Sequence, residues 1–141
     1  MTILDDDAVS FPAVYLNEIS VNPADTDGPH EYVEIKGPAG ASLANIYFVS
    51  IEGEGTGAGL ADIVIDLSSY SIGSNGLLVI TGFGGHSVPS VTTLVIDTRF
   101  DAISGILENG SNSFALFASL DPIIEGSDLD TNNDGTLDLP G

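Results

Sequence analysis

Residues 31–36 read EYVEIK. Val33 and Ile35 alternate with Tyr32 and Glu34, and a period of two sets the aliphatic pair on one face and the polar pair on the other. That is the pattern of a half-buried strand. The same grammar runs outward in both directions, at AVYLNEI (13–19), NIYFVSIE (45–52), DIVIDL (62–67), GLLVIT (76–81), TTLVID (92–97) and NSFALFAS (112–119). Glycine, proline, Asn and Asp punctuate these runs, as turns between short strands require. LLVI is apolar on both faces and reads as a fully buried strand. No stretch sustains a helical period. DAISGIL (101–107) predicts one helical turn ahead of Asn109-Gly110, a turn signal. Seven short strands predict an all-β chain with an immunoglobulin-like antiparallel β-sandwich architecture. Without a Cys…Trp…Cys pattern it is not an antibody-type domain.

The length of 141 residues fits one domain, and 43 % hydrophobic residues are enough to build its core. The charge is lopsided: 21 acidic residues against Lys36 and Arg99, a net charge of −19. Such a field repels phosphates, which argues against nucleic-acid binding and against attraction to anionic membranes. It also concentrates divalent cations, keeps the protein soluble and opposes self-association, so a monomer is expected. With no cysteine, disulfides, zinc–thiolate sites and cysteine nucleophiles are excluded. No apolar run reaches the length of a membrane span. The opening MTILDDDAVSFPAVYL lacks the basic and apolar regions of a signal peptide. The chain is therefore read as cytosolic or as a domain excised from a longer protein, and its end at Pro140-Gly141 favours the second.

Several motifs invite chemistry. GEGTGAG (53–59) is glycine-rich, but no helix follows it and it has no Walker lysine, so it reads as a hairpin loop. The two histidines, His30 and His86, sit in loops, and His86-Ser87 has no evident partner in sequence. A triad needs its members to meet only in space, which keeps open a small stand-alone hydrolase. Glu18 and Glu34 fall on adjacent expected strands. They are candidates for an acid–base pair, or for hydrogen-bond acceptors that hold the first hairpin together.

VYLNEISVNPADTDGPHEYVEIKGPAGASL (14–43) resembles the opening of the bacterial lamin-tail domain. The matching elements are Asn17-Glu18-Ile19, a Pro/Asp/Gly loop, and Glu31-Tyr32-Val33-Glu34-Ile35. ILENGSNSFALF (106–117) resembles that family's penultimate hairpin. The resemblance covers about residues 13 to 125. The chain departs from it at Lys36-Gly37-Pro38-Ala39-Gly40, where a small polar stretch is usual. The resemblance implies an immunoglobulin-like sandwich. In bacteria it implies a non-catalytic module of a secreted or surface protein, often joined to a nuclease, phosphatase or other hydrolase.

The chain closes on DLDTNNDGTLDLPG (128–141). Counting Asp130 as position 1 of a calcium loop puts Asn132 at 3, Asp134 at 5, Gly135 at 6, Thr136 at 7 through its carbonyl, and Asp138 at 9, with Asp128 as an added ligand. Hard cations take six to eight oxygens, and alternate residues of a tight loop supply them. Position 12, normally a bidentate carboxylate, is Gly141. The likeness is to the helix-less loops of thrombospondin type-3 and dockerin-like repeats. The expected affinity is of extracellular range, ~10⁻⁴–10⁻³ M. The competing reading is an acidic linker at a domain boundary. A second, weaker candidate is NPADTDG (22–28), with Asp25 and Asp27, which an Asx turn explains equally well.

The expected organisation is an N-terminal extension (1–12), a β-sandwich (13–125) and an acidic calcium loop (126–141). The expected function is a non-catalytic binding or accessory module, extracellular or on the cell surface, with a protein or glycan partner and calcium as its cofactor. The alternatives are an accessory domain of a larger secreted hydrolase and the stand-alone hydrolase.

Overall fold

In the computed structural model, which describes residues 10–24 and 26–138, each alternating stretch becomes a strand. Of the residues singled out above, Asp25, Pro140, Gly141 and most of the N-terminal extension lie outside the described residues. The strands are β1 (Tyr15–Ser20), β2 (Tyr32–Lys36), β3 (Ile46–Glu52), β4 (Ala61–Asp66), β5 (Leu77–Thr81), β6 (Thr93–Ile96) and β7 (Asn112–Ala118). They form a four-stranded sheet in the order β1-β2-β5-β6 and a three-stranded sheet in the order β4-β3-β7. Among the described residues, helical structure is confined to short turns at Asp27–His30, Gly55–Gly57 and Thr98–Asp101. The chain is all-β.

Two expectations need correction. The pairing is not antiparallel throughout, because β5 and β6 run parallel. The glycine- and proline-bearing stretch 82–92 between them is long enough to carry the chain back to the starting end of the sheet, as a parallel pair demands. The helical turn expected within 101–107 falls earlier, at Thr98–Asp101, because the Asp97 side chain accepts the Arg99 N–H and starts the turn there.

Alternation assigns the faces. Val33, Ile35, Leu78, Ile80 and Val95 of the four-stranded sheet share one core cluster with Ile46, Phe48, Ile63 and Ile65 of the three-stranded sheet. Phe48, fully buried, stacks on Phe114 with ring centroids 6.0 Å apart. The opposite face of the three-stranded sheet presents Tyr47, Val49, Ile51 and Phe117, and Ile123 and Leu129 cover them. A second, smaller core therefore lies outside the sheets and is closed by the C-terminal segment. That segment also pairs with the β3–β4 hairpin. The Ala61 N–H donates to the Ser127 carbonyl, the Gly126 N–H to Ala61 and the Leu129 N–H to Gly59.

Arg99 ties three parts of the chain together. It makes ion pairs with Asp97, at the end of β6, and with Glu125. It also donates to the Val64 carbonyl on β4 (3.2 Å), while Glu125 accepts the Val64 N–H (3.2 Å). Burial alone would push the Asp97 carboxyl up. The Arg99 side-chain and backbone N–H groups outweigh it and hold that carboxyl below its ordinary value. Because Arg99 is exposed, Arg99→Met is expected to cost only about 1 kcal/mol of stability or less. A urea midpoint in 0.5 M salt that does not move closer to the wild type than at low salt would contradict the electrostatic part of that cost.

Candidate functional site

The carboxylates of the C-terminal loop organise their own backbone. Asp130 is buried, and its two carboxylate oxygens accept the N–H groups of Asp134 (3.1 Å) and Gly135 (2.9 Å). Asn132 Oδ1 accepts the Asp134 N–H, and Asp134 Oδ1 accepts the Thr136 N–H. Asp128 Oδ1 takes the Asp130 N–H. Asp138 closes the loop from its far end: its Oδ2 accepts both the N–H and the hydroxyl of Thr131, and its own N–H donates to the Leu129 carbonyl. Hydrogen bonds from Thr136 hold the Asp134 carboxyl below its ordinary value. Asn133 (φ 55) and Gly135 (φ 82) carry the chain through the reversal in left-handed backbone. A Cβ on Gly135 would meet nothing within 4 Å, so glycine serves the backbone angle there and not the packing.

All six residues expected as ligands thus fall on one turn, anchored beneath by Leu129. Each carboxylate offers about four acceptor sites, and one amide per oxygen fixes direction while leaving capacity for a cation. Among the described residues, no three carboxylates or imidazoles converge into a group that could hold a metal ion.

In the other cation candidate, Asp27 lies in the short turn before β2. Its Oδ2 accepts from Asn109 Nδ2 (3.2 Å), and its carbonyl accepts the Glu31 N–H.

Glu18 and Glu34 do meet. They are directly opposed across the β1–β2 pair, next to a bulge between Leu16 and Glu18. The bulge turns Asn17 so that its Nδ2 donates to Glu34 Oε1 (2.5 Å), while the Tyr32 hydroxyl donates to Glu18 Oε1 (2.6 Å). That bond, with burial and the two nearby carboxylates behind it, pushes the Tyr32 hydroxyl up to about 12. The acceptors hold the hairpin together through side-chain donors.

The two histidines, which nothing in sequence brings together, also meet. Their rings lie 6.5 Å apart, and His86 packs edge-on against Tyr32 with centroids 4.6 Å apart. His86 Nε2–H donates to the His30 main-chain carbonyl (2.9 Å). A carbonyl holds Nε2, the nitrogen that in a triad receives the proton of the nucleophile's hydroxyl. The glycine loop 53–59 forms the β3–β4 turn. Beside it, Glu52, Gly57, Leu60, Ala61, Asp62 and Gly126 line a cavity of about 220 Å³. Burial, with Glu52 and Glu125 nearby, raises the Asp62 carboxyl there, and the charge of Glu52 raises Glu108.

One buried group escaped the sequence reading. Glu31 is completely buried; its Oε2 accepts the N–H groups of Ile106 (2.7 Å) and Leu107 (3.0 Å). Its Oε1 has no hydrogen-bond partner among the described residues. Burial pushes the carboxyl above its ordinary value; the Leu107 and Ile106 amides pull it partly back, and Asp27 pushes it up again. The signal was present: Glu31 shares the phase of Val33 and Ile35, so alternation aims it inward.

Comparison with known proteins gives no match to a family model, to a curated protein or to a solved structure.

Proposed function

We propose that the chain is a non-catalytic, immunoglobulin-like β-sandwich module, a binding or accessory domain of a secreted or surface protein, whose C-terminal loop binds calcium weakly. One observation carries the calcium part. Backbone amides orient the Asp130 carboxylate from inside the loop, at the Asp134 and Gly135 positions, and Gly135 supplies the left-handed turn. The residues that would hold the ion are Asp128, Asp130, Asn132, Asp134 and Asp138 through side chains and Thr136 through its carbonyl. Calcium cancels the mutual repulsion of the carboxylates and so favours the folded loop by mass action. The likeness to the lamin-tail domain lies in Asn17-Glu18-Ile19, in Glu31–Ile35 and in residues 106–117, and it supports the sandwich reading.

The test is a calcium titration by calorimetry, with thermal melting followed in parallel. At ten times Kd the stabilisation is expected to be about 1.4 kcal/mol, read as a rise in Tm. Asp130→Asn should abolish the rise. Absence of both heat and Tm shift up to millimolar calcium removes calcium from the proposal.

A further inference from the structure

The two sheets differ in what lies on their outer faces. The three-stranded sheet covers its outer apolar residues with Ile123 and Leu129 of its own chain. On the four-stranded sheet the core takes Val33, Ile35, Leu78, Ile80 and Val95, so the alternate residues of β2, β5 and β6 face outward. Register sorts them into rows. Glu18, Glu34, Val79 and Leu94 form one row across all four strands. Ser20, Tyr32, Thr81 and Ile96 form the next, and Tyr15, Lys36 and Leu77 lie on the other side. The face is therefore divided. Over β1 and β2 it carries the Glu18–Glu34 pair, with Lys36 in the neighbouring row; on β5 Val79 and Thr81 are buried, and on β6 the aliphatic Leu94 and Ile96 are 40 % and 41 % exposed.

The Glu18–Glu34 pair has no cationic partner among the described residues. Like charges opposed across a strand pair destabilise it, and only neutral donors, the Asn17 amide and the Tyr32 hydroxyl, engage this pair. Those donors use one oxygen of each carboxylate; the second has no protein partner among the described residues. Arg99 is committed to Asp97 and Glu125, and Lys36 forms no ion pair among the described residues.

We infer that this face docks a basic, amphipathic polypeptide segment of a partner protein, whose lysine or arginine enters between Glu18 and Glu34 and whose aliphatic side chains lie on Leu94 and Ile96. The inference rests on the binding-module reading and names its surface and the chemistry of its partner. Charge complementarity selects the occupant. A second copy of the chain brings its own net charge of −19 to the contact, and nucleic acids and anionic lipids are repelled. A sugar needs an open aromatic platform; the Tyr32 ring is taken by His86, and Tyr15, 51 % exposed, stands on the edge strand β1 beside Lys36, on the far side of the sheet from Leu94 and Ile96. Adjacent strands lie ~4.8 Å apart, so Glu18 and Leu94 are separated by about 14 Å. About nine residues of helix, or four of extended chain, span that distance.

A synthetic amphipathic Lys/Leu peptide, titrated into the isotopically labelled full chain and followed by amide shifts, tests the inference. A Glu/Leu peptide of the same pattern is the control. Shifts are expected to gather on β1, β2, β5 and β6. E18Q/E34Q and L94S/I96S are each expected to weaken binding about tenfold, while D62N/D66N on β4 leaves it within about twofold. The inference is overturned if D62N/D66N weakens binding as much as E18Q/E34Q, because attraction would then follow net charge alone. It is also overturned if the shifts fall elsewhere, if a neutral oligosaccharide moves the same amides equally well, or if L94S/I96S dissolves a dimer of the chain. Peptide shifts on another surface, or a calcium-dependent Tm that persists without them, sink only this surface and leave the module reading standing.

Discussion

Replacing Glu31 by alanine is expected to cost about 3–5 kcal/mol, a large fraction of the stability of a domain this size. Two buried amides, those of Ile106 and Leu107, lose their acceptor together, and the vacated side chain leaves a cavity in a place that was fully enclosed. Gly105 is part of the same arrangement. Its φ is +68, and a Cβ on it would collide with the Glu31 carboxyl. Glu31→Gln separates the two roles of the carboxyl, because it keeps an acceptor for both amides but cannot ionise. Its cost is expected to stay within about 1.5 kcal/mol. The pH dependence has a definite sign. The folded-state value is raised above the ordinary 4.5, so the folded protein holds the proton more tightly than the unfolded chain. The contribution is fully present below the ordinary value and is lost as pH rises through the folded one. The gap in urea midpoint between wild type and Glu31→Gln should therefore move in the variant's favour on going from pH 4 upward. Parallel profiles across that range would refute the role given to the buried carboxyl.

Leu129→Ala is expected to cost about 2–4 kcal/mol, although the residue stands in the most acidic stretch of the chain. Leu129 is 3 % exposed and fills the small outer core with Ile123, Val49 and Phe117. The loss should be visible locally as well as globally. Amide exchange at Ala61, Gly126 and Leu129, whose N–H groups join the tail to the β3–β4 hairpin, should accelerate before that of β2 or β5. Ile124, 65 % exposed beside Ile123, is the control, and Ile124→Ala should change stability by no more than about 0.5 kcal/mol. A cost below 1 kcal/mol for Leu129→Ala, with Ala61 exchange unchanged, would show that the tail lies on the sheet without being held there.

All seven strands could be read in the sequence because each is a short run rich in aliphatic and aromatic residues, several alternating and LLVI apolar on both faces, set between turn-forming residues. Their partners could not. The parallel run of β6 beside β5 depends on where the 82–92 connection leads, and no local pattern encodes that. The meeting of His86 with Tyr32 and His30 follows from the β2–β5 pairing and was invisible for the same reason. The opposed Glu18 and Glu34 were foreseeable, since a hairpin between the first two strands sets them side by side; the bulge that recruits Asn17 was not. In the tail, the spacing of oxygen-bearing side chains announced a turn built on Asp130. Leu129, set between Asp128 and Asp130, gave too little signal to reveal the docking beneath it. Arg99 looked like an incidental charge until the fold brought Asp97, Glu125 and Val64 to it.

The contacts at Val64 bear on how this chain behaves at high concentration. β4 is the outermost strand of its sheet, and a bare outermost strand is a template onto which a foreign strand can add, copy after copy, into fibrous aggregates. At its midpoint the free N–H is spent on Glu125 and the free carbonyl on Arg99. A charged pair thus sits where an incoming backbone would have to bond. One of the two cationic residues in the whole sequence stands guard against runaway polymerisation at one of the four outermost strands of the two sheets.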